Sequence, residues 1–263
     1  MAETKDPKQF SQSSMRLLDI IECLADTAGL MRLQEIAQKT GIAQSTVLRY
    51  LTSLEASNYV YKDDETHRYA LTWRIMRLSR NLGSQLSLRN ITTPFTNGLA
   101  NELKRGVCLV IEQDEQCLYL DCIESPLSRT LQRIGKRAPL HATGSGKIIL
   151  STKSEAELNK YIADTGLMQY TKYTITNPDV LRGELNKIRK NDYALDEEEC
   201  EIGLRCISCP LRDYTGSIIA AVSIFGSKET MSDNQIMDVI LPRLRSAARE
   251  ISSRLGYIFP EED

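Results

Sequence analysis

Apolar residues in the stretch LQEIAQKTGIAQSTVLRYLTSL, Leu33 to Leu54, recur at helical spacing on both sides of Thr40-Gly41. The pattern predicts two short helices joined by a tight turn. In the second, Val47, Tyr50, Leu51 and Leu54 fall on one buried face, and Ser45, Arg49 and Thr52 fall on the other. Gln44 and Thr46 stand at its N-terminal end. Upstream, Met15, Leu18, Ile21, Leu24 and Ala25 predict a first helix, capped by Ser13 or Ser14 and ended by Gly29. Downstream, Tyr59–Lys62 and His67–Leu71 flank the polar Asp63–Thr66, the pattern of a β-hairpin. Three helices and a hairpin make a winged helix-turn-helix. The slim polar face of its second motif helix suits entry into a DNA major groove. Gln44, Ser45, Thr46 and Arg49 are the candidates for contact with DNA there. Lys62, His67 and Arg68 on the wing are candidates for phosphate contact. The bland alternatives are a helical hairpin packed in a core and solvated surface charges.

From Thr72 to Leu86 the pattern is helical, with Arg74, Arg77 and Arg80 bordering an apolar stripe. It reads as a linker helix, free to pair with its copy in a dimer or simply to connect. Beyond it the texture alternates. Arg89–Lys104 predicts a helix, and Val107–Ile111 with Cys117–Ile123 a hairpin. Arg129–Ile134 predicts a strand, and Thr143–Ser151 a short helix entered through Gly144-Ser145-Gly146. Glu155–Asp164 and Asp179–Lys190 are amphipathic helices, Leu204–Leu211 and Ser217–Phe225 strands, and Ser232–Gly256 a long last helix bent at Pro242. The expected class is α+β, a mixed antiparallel sheet with helices on it. The chain divides into a tail over 1–10, a winged helix-turn-helix over 11–71, a linker helix over 72–87, a second domain over 88–257 and a tail over 258–263.

Composition changes this picture little. At 263 residues, 41% apolar and 26% charged, the chain has room for two ordinary domains. No apolar run approaches the roughly 20 residues of a membrane helix. The polar N-terminus has no secretory signal core, and the seven scattered cysteines form no disulfide framework. A cytoplasmic protein is expected. The net charge is −2, but the first 89 residues carry 12 basic and 10 acidic side chains against 21 and 25 in the rest. A slightly basic end on an acidic body is compatible with a DNA reader.

Catalytic motifs fail on inspection. ATGSGKIIL is preceded by His141 where a phosphate loop needs its first glycine and has Ile148 where it needs Ser or Thr. A nucleophile elbow centred on Ser145 has Thr143 and Lys147 where its two glycines belong. Cys206 and Cys209 form a C-x-x-C without a second pair, and in a strand they would face opposite ways. No metal or cofactor is assigned. A pocket remains. Gly144 and Ser145 open a helix, whose amides suit a carboxylate or small anion. Ser223 and Phe225 share a strand face, with Asp196 and Cys206 near them. Asp196 would repel a ligand carboxylate, so its useful role is to accept from a ligand hydroxyl. The alternative leaves Asp196 in solvent and Cys206 in a core.

The stretches GIAQSTVLRYLTSL with its wing, PLHATGSGKIIL, DEEECEIGLRCISCPLRDYTG and AAVSIFGS resemble the IclR family of bacterial transcriptional regulators. The resemblance implies a winged helix, a linker helix and a GAF-like effector domain. It implies dimers or tetramers on palindromic DNA operators, and small organic or sugar-derived acids as effectors. By motif position it places effector contacts at Gly144, Ser145, Asp196, Cys206 and Ser223, with Leu127, Thr130 and Ala138 as pocket wall. Phe225 stands where the family's strand has a second serine. The expectation is therefore a ligand-responsive transcriptional regulator, repressor or activator, with a ring-bearing or sugar acid favoured over pyruvate or glyoxylate. The alternative is an enzyme or metal-redox protein using Cys206, Cys209 and Asp196.

Overall fold

Ser11 accepts a hydrogen bond from the Ser14 amide and so starts α1, Gln12–Ala25. The computed structural model describes residues 11–27, 29–79, 87–124 and 134–260. The cap thus lies before Ser13 and Ser14, and the buried stripe is also rotated from the expected one. Ile20 and Leu24 are buried and Leu17 and Ile21 partly so, while Met15 and Leu18 are each 50% exposed. Two stripes at helical spacing compete on this helix, and the one with more branched apolar bulk packs inward. The second helix, α2 (Leu33–Thr40), ends on Gly41 in the left-handed region, φ 68°. The third, α3 (Gln44–Ala56), buries Val47, Leu51 and Leu54 and half-buries Tyr50. Strands β1 (Val60–Lys62) and β2 (Tyr69–Leu71) pair antiparallel as the wing. Met31 pairs with Tyr69 and ties the hairpin to the helices. The region expected as a linker helix begins with a 3₁₀ turn at Trp73–Ile75 and a short α4, Met76–Ser79. Its remainder lies outside the described residues.

This unit, Met1–Gln85, is separate from a second compact unit, Leu86–Asp263. The second opens with α5 (Leu88–Leu103), capped by Ser87. Strands β3 (Gly106–Gln113) and β4 (Gln116–Ile123) are joined through Asp114 and Glu115, both at positive φ, as a two-residue hairpin requires. Then come β5 (Arg137–Pro139), α6 (Gly144–Leu150), α7 (Glu155–Thr165), α8 (Pro178–Asn191), β6 (Ala194–Glu197), β7 (Leu204–Arg212) and β8 (Ile218–Ser227). A π-helical turn, Gln235–Ile240, leads into α9, Leu241–Arg254. Pro242 sits in its first turn, directly after the π-helical turn. The sheet runs β5-β4-β3-β8-β7-β6, every neighbour antiparallel.

Alternation along the strands builds two cores. Val107, Leu109, Ile207, Val222 and Ile224 pack with α5 and α9 on one face. Cys108, Val110, Cys206, Ala221 and Phe225 pack with α6, α7 and α8 on the other. Every residue of α6 is buried, so this short helix is a plug between the sheet and α8. The strand expected at Arg129–Ile134 falls outside the described residues except at its last position. Strand β6 was not expected, because ALDE reads as the head of an acidic run.

Candidate functional site

On α3 the residues opposite the core are Gln44, Ser45 and Arg49, all exposed, with Thr46 half-buried beside them. Arg49 rests its guanidinium 5.5 Å from the Tyr50 ring centroid. That stacking holds the cation near the helix without consuming its donors. Thr52 turns back on its own helix, donating to the Leu48 carbonyl at 2.9 Å. Lys62 and Arg68 flank the wing turn and are half-buried, and Lys62 lies over the Tyr69 ring at 5.9 Å. The turn is fixed by Asp63, which accepts from the Thr66 amide at 2.7 Å.

The second site forms where α6 meets the sheet. Register places Asp196, Cys206 and Phe225 in one row across β6, β7 and β8, with Gly106 of β3 next. The neighbouring row is Ala194, Ser208, Ser223 and Cys108. Ala138, Ser145, Asp196, Cys206, Ser223 and Phe225 line one cavity, together with Tyr119, Lys136, Thr143, Cys200, Glu201 and Leu204. Its volume is about 30 Å³, room for about one water molecule. Gly144 backs it from behind: a Cβ there would meet the Ser208 hydroxyl at 2.7 Å and Cys206 Sγ at 3.1 Å. Leu127 and Thr130 lie outside the described residues.

Thr143 caps α6 by accepting from the Gly146 amide at 3.1 Å. The Gly144 amide is directed at the Cys206 sulfur. Ser145 shares a 3.2 Å hydrogen bond with Ser208. The loop amides therefore already have partners at Gly144 and Gly146, and Thr143 and Ser145 are the loop residues that line the cavity. The Phe225 ring lies over Gly106, where a Cβ would meet its Cζ at 2.2 Å. An aromatic ring covering a cross-strand glycine is held in place by the missing side chain.

Asp196 is 3% exposed, not solvated. Its carboxylate accepts from the Glu199 amide at 2.8 Å. Burial, then the nearby Glu199 charge, push its pKa up to about 7, against a smaller opposing pull from Lys147. Lys147 is itself buried and is ion-paired with Glu199 Oε1. Glu199 Oε2 has no hydrogen-bond partner, and burial raises the Glu199 pKa. Thr174 holds the Glu199 backbone, donating to its carbonyl at 2.6 Å. The acidic run thus folds inward. The sequence does not single out Tyr119, Lys136, Cys200, Glu201 and Leu204 as lining residues, nor Lys147 as the partner of Glu199. Two of these were findable by alternation: Tyr119 follows Cys117 by two on β4, and Leu204 precedes Cys206 by two on β7.

Cys206 faces the cavity and Cys209 the opposite core, so the C-x-x-C cannot close on one ion. Among the described residues no group of three His, Cys, Asp or Glu side chains is placed to hold a metal. None of their helices is long and apolar enough to cross a membrane.

Residues 13–64 match the IclR helix-turn-helix domain, and residues 81–253 match the family described as bacterial transcriptional regulator IclR C-terminal. The chain is 28% identical over 254 residues to the HTH-type transcriptional regulator KdgR of Escherichia coli K12, across 96% of this chain and 95% of that protein. It is similar to the crystal structure of the Thermotoga maritima IclR, with a TM-score of 0.62 and 30% identity over 93% of this chain and 99% of that one. A further similarity is to the inducer-binding domain of the Acinetobacter PobR transcription factor, solved as a double mutant with 3-hydroxybenzoic acid. There the TM-score is 0.60 and the identity 27%, over 63% of this chain and 98% of that one.

Proposed function

The chain belongs to the IclR family of bacterial transcriptional regulators, and on that premise we propose which face reads the operator and what class of effector it answers. It is a ligand-responsive DNA-binding regulator, not an enzyme. Gln44, Ser45, Thr46 and Arg49 on α3 enter the major groove, and Lys62 and Arg68 of the wing take phosphates. The effector is a hydroxylated acid with a ring or sugar body. Its carboxylate is met by the Ser145 hydroxyl and by Lys136 at the mouth. A hydroxyl is met by Asp196 and Ser223, and the body lies against Tyr119, Leu204 and Phe225. Asp196 is not a fixed anion near neutrality, so it can donate to such a hydroxyl as well as accept.

The observation that carries this reading is the convergence of Ser145, Asp196, Cys206, Ser223 and Phe225 on one cavity from four elements. The 3-hydroxybenzoic acid in the Acinetobacter relative's domain supports an aromatic acid. A cavity with room for about one water must open before such a ligand enters. The open state is then a minor one, and the ligand draws on it, which lowers the apparent affinity by the open fraction. Calorimetry of the full chain against 3-hydroxybenzoate, sugar acids, pyruvate and glyoxylate tests the reading. A ring or sugar acid binds best, and Phe225→Ser shifts preference toward smaller, more polar acids. Tightest binding of pyruvate or glyoxylate, with no response to Phe225→Ser, overturns it.

A further inference from the structure

Seven cysteines are free, and one pair of them stands apart. Cys108 on β3 and Cys122 on β4 are direct cross-strand partners, with Sγ atoms 2.9 Å apart. Their opposition depends on a bulge. The register shifts between Leu109 and Val110, so that Val110 faces Tyr119 while Cys108 faces Cys122. Leu120 packs with the α5 core, and Asp121 is bound by Arg89 and Thr93 of α5, so consecutive residues share that side. Strict alternation would have sent Cys122 to the α5 face with Leu120. The extra residue returns it to the face of Cys108. Directly opposed residues of an antiparallel pair lie within the Cα separation that a disulfide spans.

We propose that Cys108 and Cys122 form a peroxide-responsive modification site, converted by hydrogen peroxide to a cross-strand disulfide beside the effector cavity. The two thiols are unequal in access. Cys108 is fully buried, and Cys122 is half-buried. Burial pushes the Cys108 thiol well up, and the neighbouring Cys122 adds to this. Cys108 therefore stays protonated and out of reach, and the first attack falls to Cys122. The Cys122 sulfur gives up its proton to the departing oxygen as it attacks the other peroxide oxygen. An S–O bond forms, the O–O bond breaks, and the departing hydroxide leaves as water. The Cys108 sulfur then attacks the Cys122 sulfenic acid. The S–S bond forms, the S–O bond breaks, and the second water carries away the Cys108 proton. Two thiols lose two electrons in all, and hydrogen peroxide is reduced to two waters.

The site touches the cavity through the sheet. Cys108 pairs on its other side with Ser223 of β8, and Tyr119 sits on the strand that carries Cys122. Both Ser223 and Tyr119 line the cavity. The disulfide would tie β4, which carries Tyr119, to β3, which pairs with the strand of Ser223. The chemical assignment does not depend on which effector the cavity takes.

The test uses the reduced full chain with a slight excess of hydrogen peroxide. Remaining thiols are alkylated in denaturant, and the unreduced chain is digested with Glu-C and chymotrypsin. Cleavage after Glu112 and after Tyr119 separates Cys108, Cys117 and Cys122, which trypsin would leave on one peptide. The expected product is a Cys108–Cys122 linked pair of fragments, lighter by two hydrogens and restored by dithiothreitol. Cys122→Ser and Cys108→Ser each abolish it. Recovery of both thiols fully alkylated after peroxide overturns the proposal. So does a link joining Cys108 to Cys117 or Cys206, or Cys122 recovered only as an unpaired sulfinic acid. The wild-type digest decides by itself if either variant fails to fold.

Discussion

At the scale of one side chain, Arg49 is where the proposed DNA reading is most directly tested. It is exposed and stacked on Tyr50, and it supports no core contact. Arg49→Ala is expected to fold normally and to lose about 1–3 kcal/mol of affinity with relaxed preference at one base pair, if it reads a base. If it holds a phosphate, binding weakens on all sequences and the salt slope falls. Anisotropy titrations on an operator selected from a random pool distinguish the two, and unchanged binding removes Arg49 from the interface. Asp196 makes a different prediction. Its pKa rises from 3.8 to about 7 on folding. Between those values the native carboxyl keeps a proton that the unfolded one has lost. Stability therefore falls as pH climbs from about 4 to about 7 and levels off above that. Asn keeps an oxygen for the Glu199 amide and removes the charge. Asp196→Asn should be near neutral for stability around pH 4 and stabilising above about pH 7, by at most roughly 4 kcal/mol. Urea unfolding at the two pH values checks it, and an equal difference at both contradicts it.

The elements differ in how plainly the sequence announces them. Helices α2 and α3 and the β3–β4 hairpin were legible because their apolar periods are clean and turn residues sit between them. The phase of α1 was not, since Met15-Leu18 and Leu17-Ile20-Leu24 are both helical stripes and only tertiary packing chooses. Strand β6 was hidden because its inward Asp196 looks like surface until Glu199, Lys147 and α6 close over it. The cavity residues on regular strands could be found by spacing, whereas Lys136 and Cys200 come from loops with no period to read. Helix α6 shows how tight the assembly is. A Cβ on Gly146 would lie 2.3 Å from the Leu140 carbonyl oxygen and 2.4 Å from its Cα, and backbone cannot step aside cheaply. Gly146→Ala should cost about 1–3 kcal/mol or more. Gly183 in α8 is the control, with nothing within 4 Å of its would-be Cβ. Gly183→Ala should stabilise by roughly 0.4–1 kcal/mol, by lowering the entropy of the unfolded chain. Thermal melts of both variants must move in opposite directions.

For the whole molecule, the prediction concerns number. One α3 spans only a few base pairs, and an operator with two half-sites about one helical turn apart would call for two-fold symmetry in the protein. The chain should be at least a homodimer by light scattering at working concentration. A monomer that retains tight, specific operator binding would refute this. The order of the strands has one more effect. In the sheet's middle β3 lies against β8, Gly106 opposite Phe225 and Val110 opposite Ala221. A ribosome makes β3 long before β8. Adding the roughly 100 residues between them at bacterial speed occupies about 5–20 s. For that interval the nascent hairpin has no neighbour along β3, while the first unit, whose contacts are mostly local, can already be complete. The DNA-binding unit is thus born before its sensor, and each new chain passes through a period in which its first unit can fold while the sheet that closes the effector cavity is still unfinished.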